Sequence, residues 1–141
     1  MTTTLIESDL LLAYMKKSDR LKPATTKILT GVASGDIPRT YASTATLQEI
    51  ILWFYNRDMH RELVQATNAM THINNMRWIP LSPEICLTAS MLIKEHRINT
   101  FDAYHAATAI TEDKTILSTE HAYDRIKGIT RIDPETYAKQ L

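Results

Sequence analysis

Four acidic residues occupy positions from which side chains can converge. Glu7 directly follows the apolar pair Leu5-Ile6, and Glu120 follows the stretch Thr115–Ser118 through Thr119. Asp102 sits in the first turn of an alanine-rich helical segment, and Glu49 lies about two turns into another helix. Carboxylates gathered at one place raise one another's pKa. A hard divalent cation with oxygen ligands removes that penalty. Mg²⁺ keeps several of its waters and takes only a few carboxylates, which leaves room for a phosphate oxygen and for an attacking water of lowered pKa. A pair of such ions about 3.5–4 Å apart would clamp both the attacking and the leaving oxygen of a phosphodiester. The chemistry implied is metal-assisted phosphodiester hydrolysis. A plainer reading stands beside it, because the chain carries 16 Asp and Glu and most acids on helices are solvated.

The segments that must position these acids are short strands alternating with helices. Leu5-Ile6 reads as a first strand, and Ser8 and Asp9 as caps of a helix from about Leu10 to Lys17. A helix over Leu21 to Ser34, closed by Gly35, presents Ile28, Leu29 and Val32 on one face. Ile37 to Ala42 is extended, and Ser43 opens a helix with Leu47, Ile50, Ile51 and Phe54 at helical spacing. A further helix spans about Asp58 to Asn74, and Met76 to Leu81 is extended. Pro83 starts a helix whose buried stripe is Ile85, Ala89, Leu92, Ile93 and His96. Thr100 caps a helix over Phe101 to Thr111, Thr115 to Ser118 and Gly128 to Ile132 are strands, and Pro134 to Leu141 is a short helical tail. Strands separated by helices need crossover connections. The expected fold is a three-layer α/β/α sandwich around a mainly parallel sheet, one domain over residues 1–141. Ligands of such sheets bind outside the carboxyl ends of the strands. Three of the four acids can meet there, and the fourth can lean over them.

Four ordered segments resemble the motifs of PIN-domain nucleases, including the VapC-type toxins of toxin–antitoxin pairs. Leu5-Ile6-Glu7-Ser8-Asp9-Leu10-Leu11-Leu12-Ala13 is similar to the opening motif, and Ser43-Thr44-Ala45-Thr46-Leu47-Gln48-Glu49 to the second. Phe101-Asp102-Ala103-Tyr104-His105-Ala106-Ala107-Thr108-Ala109 matches the third most specifically, and Ile116-Leu117-Ser118-Thr119-Glu120-His121-Ala122-Tyr123-Asp124 resembles the fourth. The resemblance implies a sheet of about five strands and a ribonuclease dependent on Mg²⁺ or Mn²⁺. By the same resemblance Glu7, Glu49, Asp102 and Glu120 are the metal-binding acids, and Ser8 is the hydroxyl residue that positions the site or a water. It also implies an RNA substrate, a homodimer and a small antitoxin that covers the site. Two positions depart from the pattern, since the family usually has Asp where this chain has Glu7 and Glu120. One extra methylene moves a carboxylate by more than an ångström, and Mg²⁺ demands near-ideal geometry at about 2.0–2.1 Å. Asp9 and Asp124 are nearby acids that can substitute as ligands; the plainer reading of Asp9 is a helix cap, and Asp124 reads as a partner of a liganding residue or as a solvated loop residue. The same departures leave room for a catalytically weak RNA- or protein-binding module of this fold.

The rest of the sequence sets limits. With 141 residues and Cys86 as the single cysteine, an intrachain disulfide and a multi-cysteine zinc site are excluded. That fits a reducing cytoplasm. The first residues lack the pattern of a signal peptide, and no apolar run approaches the roughly 20 residues a membrane span needs. Formal net charge is zero, so any nucleic-acid contact must come from a local basic patch. Lys16, Lys17, Arg20, Lys22 and Lys27 form one group, and Arg125, Lys127 and Arg131 another; Arg39 precedes the second motif. His105, one turn after Asp102, reads either as a partner of a site carboxylate or as a histidine satisfied at a packed face. His121 reads as a phosphate contact or an exposed loop residue. Trp53 and Tyr55 flank the core residue Phe54, and one of them must turn outward, toward a protein partner.

Overall fold

The structure is a computed structural model and describes residues 3–141. Five strands, β1 (Thr4–Ile6), β2 (Thr40–Ser43), β3 (Arg77–Ile79), β4 (Thr115–Leu117) and β5 (Thr130–Ile132), form one sheet in the order β3-β2-β1-β4-β5. Every pairing is parallel. The register puts Leu5 beside both Tyr41 and Ile116, and Ile6 beside Leu117. Alternate side chains of a strand point to opposite faces, so each face of the sheet acquires its own core. Ile6, Ala42 and Leu117 join one core with Leu10, Ile28, Ile50, Phe54 and Met70. Leu5, Tyr41 and Ile116 join the other with Ile85, Ala89, Ala103 and Ala107.

The helices divide accordingly. α1 (Ser8–Met15), α2 (Lys22–Ser34), α3 (Ala45–Tyr55), α4 (His60–Thr71) and α7 (Pro134–Lys139) cover the first face, and α5 (Pro83–His96) and α6 (Thr100–Ile110) the second. This is the three-layer α/β/α sandwich with a parallel sheet that the sequence implies. Alanines at 103, 106, 107 and 109 are all fully buried, which lets α6 lie close to both the sheet and α5.

Several element ends differ from the sequence reading, each for a local reason. Ser8 and Asp9 are not caps but the first two residues of α1, because Glu7 leaves β1 still extended (φ −81°, ψ 159°) and the helix begins at once. Ser43 ends β2 rather than opening α3, and its Oγ accepts from the Ala45 N–H at 3.1 Å. Asn99, not Thr100, caps α6, its side chain accepting from the Asp102 N–H at 2.8 Å. Ile51 is exposed although it shares the helical spacing of Leu47, Ile50 and Phe54. Gly35 closes α2 in the left-handed region (φ 87°), where a side chain would be strained.

Candidate metal centre

The chain runs outward from β1 through β2 to β3 and then returns to the other side of β1 to lay down β4. The strand order therefore reverses between β1 and β4. A parallel sheet opens a crevice beyond the carboxyl ends of its strands at such a point. Glu7 is the residue after β1, Ser118 the residue after β4, and Glu49 projects from α3, which follows β2. α6 delivers Asp102 from its first turn and His105 one turn later.

Glu7 is buried, and its two oxygens are held from different elements. Oε1 accepts from the Ser8 Oγ at 2.5 Å, and Oε2 from the Ser118 Oγ at 2.9 Å. The Ser8 Oγ also lies 2.7 Å from Glu49 Oε1. His105, fully buried, places Nε2 2.5 Å from that same Glu49 oxygen and 3.5 Å from Glu7 Oε1. Ligand atoms of Glu7, Glu49 and His105 all lie within 4.8 Å of one another.

Asp102 stands at the border of this group. Asn99 Nδ2 donates to its Oδ2 at 2.8 Å, and the hydroxyl of the buried Tyr123 approaches Oδ1 at 3.4 Å. Burial and the charge of Glu120 push its pKa up to about 6, with Glu49 adding in the same sense and His105 opposing. Glu120 is exposed and caps the short 3₁₀ turn His121–Arg125, its Oε1 accepting from the Ala122 N–H at 2.9 Å. Its own N–H donates to the Ser118 Oγ at 3.0 Å. Ser118 thus ties the Glu120 loop to Glu7.

Asp9 and Asp124 take other work. Asp9 Oδ2 accepts from both the N–H and the Oγ1 of Thr119, at 3.0 and 2.6 Å, which pins the start of α1 to the loop after β4. Burial, with the charge of Glu7, pushes its pKa up to about 7. Asp124 faces outward, accepts from Arg131 Nε at 2.9 Å and pairs with His121 at 3.0 Å. The hydrogen bond from Arg131 holds its carboxyl below the usual range. Arg131 also donates to the Ser118 carbonyl at 3.1 Å.

For His105, burial acts to lower the pKa, but the hydrogen bond to Glu49 and the charge of Glu7 outweigh it and hold the ring above its ordinary value. Proton counting shows what the pocket lacks. Glu7 Oε1, Ser8 Oγ, Glu49 Oε1 and His105 Nε2 make three successive short contacts. The serine hydroxyl and the ring supply one hydrogen each, so the third contact needs either a proton on a carboxyl or a cation among the oxygens. The oxygen-rich donor set suits Mg²⁺ or Mn²⁺.

Asn99, Ser118 and Tyr123 support the acids but did not stand out in the sequence as site residues. Asn99 had a signal, an Asn three residues before an Asp at a helix start. The link from Ser118 to Glu7 spans 111 positions and has no local signature. Arg39 precedes β2, and its carbonyl accepts from the Thr4 N–H; it sits at the amino ends of the strands, away from this crevice.

The sequence matches the PIN domain family over residues 5–129. No curated protein matches it. The fold is similar to that of VapC20 of Mycobacterium tuberculosis, described as a sarcin–ricin loop cleaving toxin, at a TM-score of 0.73 and 14% identity, covering 90% of this chain and 97% of that one. It is also similar to DNA-bound VapBC of Salmonella typhimurium (TM-score 0.70, 15% identity, 95% and 99% of the chains). VapBC2 of Rickettsia felis, bound to a promoter DNA fragment, gives a TM-score of 0.69 at 14% identity over 93% and 98% of the chains.

Proposed function

The chain belongs to the PIN domain family, and from that premise we propose that it is a divalent-metal-dependent endoribonuclease, the toxin of a toxin–antitoxin pair. The observation that carries this reading is the convergence of the Glu7 and Glu49 carboxylates, bridged by Ser8, at the switch point of the sheet, with Asp102 near enough to feel the charges of Glu49 and Glu120.

Glu7, Glu49, Asp102 and Glu120 would hold Mg²⁺ or Mn²⁺. When bound, such an ion lowers the pKa of a water and neutralises charge developing on the phosphate. The protein's part is to keep the acids converged. Ser8 bridges Glu7 and Glu49, Ser118 anchors Glu7 from the neighbouring strand, and Asn99 and Tyr123 orient Asp102. Asp9 and Asp124 brace the surrounding loops rather than reach the ion.

A small antitoxin is the proposed partner. A groove of about 620 Å³ lined by Met15, Trp53, Phe54, Met59 and Ala66 offers an apolar seat for one of its segments. The Arg57 guanidinium stacks 3.8 Å over the Trp53 ring, which sets that ring at the groove wall. Exposed Ile51, Leu52 and Tyr55 on α3, with Leu87 and Met91 on α5, suit a homodimer. Among the described residues no helix is long and apolar enough to cross a membrane, and a cytoplasmic location fits the RNA substrate.

The test is cleavage of a mixed pool of structured RNAs by the purified chain with Mn²⁺, with EDTA, and as Asp102→Asn. The reading requires fragments with Mn²⁺ alone and at least a hundredfold loss in the variant. Glu120 favours a second reading, a weak nuclease that serves as a binding module, because one of its oxygens is committed to capping the 3₁₀ turn. Retained RNA binding without cleavage would select it.

A further inference from the structure

His105 has two ring nitrogens in unlike surroundings. Nε2 points into the crevice, 2.5 Å from Glu49 Oε1 and 3.4 Å from the Ser8 Oγ. Nδ1 is buried and has no hydrogen-bond partner among the described residues. A histidine that binds a metal through Nε2 carries its hydrogen on Nδ1 and almost always donates it to a carboxylate, carbonyl or water. Here that hydrogen would find no protein acceptor among the described residues, the kind of orphan that folded proteins rarely keep. The neutral ring with its hydrogen on Nε2 avoids that orphan and aims its N–H at Glu49, whereas the imidazolium would keep it.

We propose that His105 is a positioning residue whose Nε2–H holds the Glu49 carboxylate in register with Glu7, and that it is not itself a ligand of the ion. The proposal rests on the reading of the crevice as a metal centre. Glu49 reaches the crevice from α3 on one face of the sheet, and His105 from α6 on the other. Their bond therefore ties the two helix layers together above the ends of β1 and β2. Without it Glu49 keeps, among the described residues, only the Ser8 hydroxyl, which it shares with Glu7.

The amide nitrogen of Gln sits about as far along the side chain as Nε2 of His, whereas that of Asn stops near the position of Nδ1. His105→Gln and His105→Asn therefore bury similar amides and differ mainly in reach, so a folding cost shared by both cancels. Calorimetric titration with Mn²⁺ is expected to give His105→Gln an affinity within about threefold of wild type. His105→Asn is expected to lose about 10–100-fold, the usual cost of removing an outer-shell partner. Equal affinity in the two variants overturns the proposal while leaving the metal centre in place. Absence of Mn²⁺ binding by the wild type overturns the metal centre and the proposal with it. A second measurement needs no variant: pulsed electron paramagnetic resonance of Mn²⁺ on the wild-type protein. The proposal requires no directly bound ¹⁴N, and a strong imidazole nitrogen coupling would show His105 to be a ligand.

Discussion

The hydroxyl of Ser118, the first residue after β4, donates to Oε2 of Glu7, the first residue after β1, at 2.9 Å. The bond joins the ends of the two strands between which the sheet reverses its order, and both residues are buried. It gives the longer arm of Glu7 a purpose. Removing one methylene withdraws the carboxylate by about 1.5 Å, the length of a carbon–carbon bond, and takes it out of reach of Ser118.

Glu7→Asp is therefore expected to weaken the site, although the family resemblance makes Asp the usual residue there. Losing a buried hydrogen bond to a charged group costs about 1–3 kcal/mol, to be read from denaturant unfolding. Mn²⁺ affinity should fall as well. Equal stability with tighter Mn²⁺ binding would mean that Glu7 is a poor substitute rather than a fitted residue.

The metal-free protein should lose stability as pH rises from about 4 to about 7. Asp102 and Asp9 have folded pKa values raised from 3.8 to about 6 and about 7, mainly by burial. Over that window the folded state holds protons that the unfolded chain has released, and the advantage disappears as these groups ionise. His105, also raised, acts in the same sense at higher pH. Asp9→Asn should flatten the profile, and Mn²⁺ should raise the melting temperature more at pH 7.5 than at pH 5. A melting temperature that climbs from pH 5 to pH 7.5 without metal would contradict this.

The sheet and its layers were legible in the sequence because short apolar pairs such as Leu5-Ile6 and Ile116-Leu117 alternate with helical periods, and because few topologies join parallel strands. Ends of elements were less legible. Ser8 looks like a cap, yet Glu7 turns the chain straight from strand to helix, so the serine enters the first turn and faces Glu49. Glu7, Glu120 and Asp102 could be named as candidates from their positions after strands and in a first turn, and Glu49 from the helix that follows β2. What holds them could not, since the links from Ser118 to Glu7, His105 to Glu49 and Thr119 to Asp9 join residues 56 to 111 positions apart. His105 was open to two readings, and only packing of α6 against α3 puts it beside a carboxylate.

Arg131 is expected to matter through the loop that bears Glu120. Its guanidinium reaches the Ser118 carbonyl and Asp124 at once, a fork that an ammonium cannot reproduce. Arg131→Lys should lower RNA cleavage about tenfold while costing only about 1 kcal/mol of stability, because Asp124 is exposed and its ion pair is screened. Cleavage at the wild-type rate would show that the loop holds its place without the fork.

Whether these carboxylates gather a divalent ion can be seen by anomalous X-ray scattering from crystals grown with Mn²⁺. A peak is expected between Glu7, Glu49 and Asp102, with carboxylate oxygens at about 2.0–2.3 Å, values bracketed by the distances typical of Mg²⁺ and the shorter ones of Ca²⁺. The same crystals of Asp102→Asn should show that peak weakened or gone. A wild-type crevice with no peak, and His105 still bonded to Glu49 in a pocket closed to ions, would contradict the metal centre.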